Sequence, residues 1–169
     1  MRYTPVAVAL SLIAAVSSSV IYSQPEKPLD PRAVTLMGEG RAAMASGNLN
    51  AAIDAYESAL TVEPGNVPVL LALADATRRE GLQGKALHYY RVALTADPRN
   101  VVALAGEGVA LAEKGATEKA NRNLARLQTL CGKDCSETKT LAAAIAKGPE
   151  QPRVVTAEAV TSKPVGSGN

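Results

Sequence analysis

Between positions 33 and 134 the large, small and polar residues return to the same register every 34 positions. Leu36, Leu70 and Leu104 share one register, and Gly40, Ala74 and Gly108 fall four later, where a small side chain lets two helices touch. Ala52, Ala86 and Ala120 follow, then Tyr56, Tyr90 and Leu124, then Ala59, Ala93 and Leu127. Gly47, Gly81 and Gly115 stand where a first helix must stop, and Pro64 and Pro98 break a second one. The pattern predicts six helices in three pairs, near 31–46, 50–62, 67–80, 84–96, 101–114 and 118–131. Asp30 and Pro31 form a helix start, and Asn66 and Asn100 are placed to cap the next ones. Helix pairs of this period cannot bury their apolar faces singly and must stack.

The order large, small, small, aromatic, small, proline resembles the tetratricopeptide repeat, with copies at 33–66, 67–100 and 101–134. The third copy departs from the family pattern at Leu127, where alanine is expected, and at Gly132, where proline is expected. The resemblance implies an all-α solenoid of three helix–turn–helix repeats, with the first helix of each pair lining a concave, partner-binding face.

Asp134 and Glu137 have the spacing of a capping box, so a further helix is predicted over 135–147, with Leu141, Ala142 and Ile145 on its packed face. Such a helix covers the open apolar end of a repeat stack. The domain then spans 31–148. Ahead of it, 1–23 reads as a secretory leader: Arg2, an apolar run over 6–16, and small residues at Ser17, Ser19 and Ser23. Cleavage after Ser23 would leave Gln24 first; the competing reading is an uncleaved membrane anchor, because the apolar stretch reaches the lower limit for spanning. No cysteine lies near this site, which excludes a lipid-anchored lipoprotein. The stretch 24–30 is a proline-containing linker, and 149–169, poor in charge and without helical period, reads as a disordered tail or, over 154–160, as a strand to be added to a partner's sheet.

Composition narrows the function classes. The 169 residues carry a net charge of +2 and neither Phe nor Trp, so the core is aliphatic and alanine-rich. A chain this close to neutral, with no basic cluster, lacks the footprint of a nucleic-acid binder. The single histidine, His88, belongs on the solvent side of its helix beside Tyr90 and has no Ser or Asp partner, so no catalytic constellation is expected and no cofactor or metal is implied. Cys131 and Cys135 are the two cysteines; in an exported chain they are expected to form a structural disulfide, while a thiol oxidoreductase would want tighter spacing.

By the resemblance, the groove positions are Met37, Arg41, Met44 and Ala45; Leu71, Asp75, Arg78 and Arg79; Ala105, Val109, Ala112 and Glu113. The lysine and asparagine set with which some tetratricopeptide grooves grip a terminal carboxylate is missing, since Met37, Arg41, Leu71 and Asp75 stand there. An extended ligand with apolar and acidic side chains is expected, and Arg78→Ala should weaken its capture without moving the melting point. A competing reading has the methionines filling gaps between helices and Arg41 pairing with Asp75. The chain is similar to the small signal-peptide-bearing tetratricopeptide proteins of Gram-negative bacteria, which implies a non-enzymatic adaptor or scaffold, periplasmic or secreted, holding a protein or peptide. The alternative is an anchored or self-associating subunit of an envelope machine, such as a pilus or polysaccharide exporter.

Overall fold

The structure is a computed structural model and describes residues 28–149. The leader, residues 24–27 of the linker and all but the first residue of the tail lie outside the described residues. Seven helices follow one another: α1 (Pro31–Ala45), α2 (Leu49–Val62), α3 (Val67–Arg79), α4 (Gln83–Ala96), α5 (Val101–Glu113), α6 (Thr117–Cys131) and α7 (Ser136–Lys147). Among the described residues there is no strand. No helix among them is long and apolar enough to cross a membrane.

Each first helix of a pair starts on a capped residue. The side chains of Asp30, Asn66 and Asn100 accept from the backbone N–H groups of Arg32, Val69 and Ala103. Asn48 does the same for α2, accepting from Ala51. Turns between paired helices pass through Gly47, Gly81 and Gly115 at φ of 76°, 87° and 78°, a left-handed conformation in which a Cβ would crowd the backbone.

Pairs α1–α2, α3–α4 and α5–α6 pack as hairpins and stack in sequence, with α7 against α5 and α6. The repeating small residues sit at the contacts: Ala52, Ala59, Ala74, Ala86, Ala93 and Ala120 have no exposed surface. Tyr56 and Tyr90 are buried beside them, whereas Leu124 at the same register is half-buried. Leu127, the third copy's departure from alanine, is fully buried in one cluster with Leu104, Leu111 and Leu141. The larger side chain fills the last inter-repeat space, where α7 arrives alone instead of as a pair.

The capping box at α7 does not form. Cys135 is the N-cap and makes no side-chain cap bond, the Asp134 side chain is fully exposed near Lys139, and Glu137 accepts from Ser136. The turn is held instead by Thr138, which is buried and donates from Oγ1 to the Gly132 carbonyl at 2.8 Å. Ala142 is exposed; Thr138, Leu141, Ala144 and Ile145 make the packed face. The sulfurs of Cys131 and Cys135 face each other at bonding distance, with Cα atoms 5.9 Å apart.

Candidate partner-binding groove

Helices α3, α5 and α7 lie side by side, and between them opens a cleft of about 250 Å³. Its walls are apolar, from Leu71 on α3 and Val102, Ala105 and Val109 on α5. Gly106 forms part of its floor because the Tyr90 ring comes up beneath it: a Cβ at position 106 would fall on that ring. The far wall is the first turn of α7, with Ser136, Glu137 and Thr140.

Of the residues expected in the groove, Leu71, Asp75, Arg78, Ala105 and Val109 come together here. Met37 and Met44 instead pack partly buried against Ile53, Tyr56 and Leu73, filling the space between the first two repeats. Ala112 is buried, and Ala45 and Arg41 are exposed. Sequence reasoning misses Val102, Gly106 and the α7 wall, because it makes α7 a cover for the stack and not a lining helix. Its register was the available signal: Ser136 stands 34 residues after Val102.

Charge in the groove is arranged by one bridge. Asp75 accepts from both neighbours one turn on, Arg78 and Arg79, each at 2.9 Å. Arg78 also donates to Glu113 of the next repeat at 2.7 Å. The cross-repeat ion pair is therefore Arg78–Glu113 and not Arg41–Asp75, since both Asp75 oxygens are taken by arginines of its own helix. Burial alone would lower the Arg78 pKa, but the hydrogen bond to Asp75 and the charges of Glu113 and Asp75 outweigh it and raise it. The Tyr90 hydroxyl is pushed by burial up to about 12, with the Asp75 charge acting the same way and Arg78 opposing.

Arg78 is thus a strut as well as a surface group, with 21 % of its side chain exposed and an ion pair to each neighbouring carboxylate. Glu113 Oε2 is buried and has no hydrogen-bond partner, so Arg78 is what compensates that carboxylate. Arg78→Ala is therefore expected to lower stability by about 2 kcal/mol, the cost of leaving a buried charge unanswered, and not to leave melting unchanged. Arg79→Ala, at a side chain more than half exposed, should change it by less than about 0.5 kcal/mol. Urea unfolding of the two variants checks the contrast.

No family model and no curated protein sequence matches the chain. Solved structures do. The Sgt2 tetratricopeptide domain from Aspergillus fumigatus superposes with a TM-score of 0.64 at 24% identity, covering 83% of this chain and 90% of that one. The TPR2B domain of yeast Sti1, solved as a complex with pHsp70, gives 0.64 at 18% identity over 70% of this chain and 96% of that one. The first such domain of Spaghetti (RPAP3), bound to the HSP90 peptide SRMEEVD, gives 0.60 at 21% identity over 68% and 94%.

The fold is that of a tetratricopeptide repeat domain. In this tetratricopeptide solenoid the groove walls come from first helices, with the Tyr90 ring of α4 in the floor and α7 standing as the first helix of a fourth repeat. Thr138 and Ile145 occupy the registers of Leu104 and Leu111, 34 residues earlier; Thr138 is buried as Leu104 is, and Ile145 is half-buried.

Proposed function

We propose that this chain is a non-enzymatic adaptor, exported from the cell that makes it, which holds an extended segment of a partner protein in the groove of α3, α5 and α7. The observation that supports this reading best is the apolar cleft between those helices, whose walls carry side chains the fold does not use up: Val102 is 49% exposed at its mouth. Solved domains of this fold include one bound to an HSP90 peptide and one in a complex with pHsp70, and the leader-like sequence at 1–23 supports export to the periplasm or beyond. Export also places Cys131 and Cys135 in a compartment where their link persists.

The test is affinity capture from an envelope fraction with the full chain as bait. A partner recovered by the parent should be lost with Val102→Arg, which sets charge in the apolar mouth, and reduced with Arg41→Ala. Intact-mass analysis of the bait should begin at Gln24. Capture unaffected by both substitutions would move the working surface off the groove. A mass retaining 1–23 in a membrane fraction would favour the anchored envelope subunit.

A further inference from the structure

The groove is electrically polar along its length. At the end nearest the first repeat, Arg41 stands on α1 in the register of Asp75 and Val109, 34 and 68 residues further on, and Arg79, more than half exposed, is held by Asp75. Arg41 is exposed, and no ion pair among the described residues occupies it. The middle is balanced, because Arg78 is held by Asp75 and Glu113. At the α7 end stands Glu137, half-buried in the cleft wall; its hydrogen bond comes from the neutral Ser136 hydroxyl, and no cation among the described residues pairs with it. Lys139, two residues on, is turned out to Asp134. Between these ends the walls are Leu71, Val102 and Val109, an apolar lining that suits an aliphatic side chain.

Resting on the groove reading above, we infer that the occupant is a segment with three features in a row: an acidic residue at the Arg41–Arg79 end, an aliphatic anchor in the cleft, and a lysine or arginine at Glu137. Opposite charges that meet across such a surface select register and orientation more than they add affinity. The same charges disfavour the reversed segment, because its acid would face Glu137 and its base Arg41. An all-acidic ligand is a poorer fit than the arginine count suggests, since the most central arginine already has both of its partners.

The experiment uses fluorescein-labelled synthetic nonapeptides and the full chain, read by fluorescence polarisation. The set has a central leucine with acid before and base after, base before and acid after, acid on both sides, or neutral flanks, plus a glycine-centred version of each. One of the two mixed-charge orders is expected to bind about fivefold more tightly than the others, the scale of an exposed ion pair. Its glycine version should bind at least about tenfold more weakly, from loss of the buried aliphatic group. Glu137→Lys, with helicity checked by circular dichroism, should transfer the preference to the peptide with acid on both sides.

Equal binding of all leucine peptides, or a preference that Glu137→Lys leaves in place, overturns the polarity while leaving the groove as the binding surface, provided Val102→Arg abolishes binding. Binding that Val102→Arg does not touch, or no binding by any peptide, overturns the inference. The adaptor reading is then decided by partner capture alone.

Discussion

Tyr90→Ala should remove on the order of 4 kcal/mol of unfolding free energy, the range for deleting a large buried ring. The ring is 3% exposed and packs on Ala74 and Ala86, two positions kept small by the repeat. It also passes beneath Gly106, so the void left behind would lie between the second and third repeats and under the floor of the cleft. Relaxation cannot fill it cheaply, because Ala74, Ala86 and Gly106 lie against the ring and only Leu71 and Tyr89 bring bulk to it. Urea titration at neutral pH measures the loss, and the unfolding transition should broaden if the third repeat separates from the second.

Tyr90→Phe keeps the ring and isolates the hydroxyl. Folding raises the Tyr90 pKa to about 12 from an ordinary value near 10, so the folded state holds this proton more tightly than the unfolded chain. Its contribution to stability is complete below pH 10 and is lost as the pH rises from about 10 to about 12. Tyr56 and Tyr89 are raised as well, mainly by burial, and act in the same direction. The parent should therefore lose stability across that alkaline window by an amount that Tyr90→Phe visibly reduces. An unchanged slope would show that the ring hydroxyl titrates as freely in the fold as outside it.

Leu141→Ala is expected to cost about 3 kcal/mol, within the range for a fully buried leucine. Leu141 has no exposed surface and lies over Gly108, where a Cβ would come within 2.5 Å of its Cδ2. Gly108→Leu attacks the same contact from the other side and should be comparably damaging, since it drives bulk between α5 and α7. Both should free α7 to limited proteolysis before the first two repeats yield. Peptide binding should fall in parallel, because Ser136, Glu137 and Thr140 are carried on that helix. Combining Gly108→Ala with Leu141→Ala should cost less than the sum of the two, as the added methyl takes up part of the vacated space.

Most of the helical frame is legible in the sequence because it rests on local chemistry that repeats. Asp30, Asn66 and Asn100 cap, glycine at 47, 81 and 115 turns, and each acts through neighbours a few residues away. The capping box at α7 failed for the complementary reason. Asp134 and Glu137 have the right spacing, but the turn from Cys131 to Cys135 and the buried Thr138 hydroxyl decide where the helix begins, and those are contacts across the turn. The groove was half legible. The i, i+3 and i, i+4 spacing of Asp75 with Arg78 and Arg79 could be read directly; the reach of Arg78 to Glu113 could not, since it depends on how far one repeat is rotated against the next. Met37 and Met44 show the same limit: a helical position next to a groove faces either the ligand or the neighbouring helix, and Ile53, Tyr56 and Leu73 settled it for both.

Because the described helices are odd in number, the stack has four inner helices and three outer ones. Its last element is therefore both a lid on the core and a wall of the cleft, and the two duties cannot be separated by a cut. A protease that removed everything after Cys135 would strip the cover from Leu104, Leu111 and Leu127 and take Glu137 away in the same stroke. On the groove reading, a chain clipped there would lose its ligand together with the cover of its core.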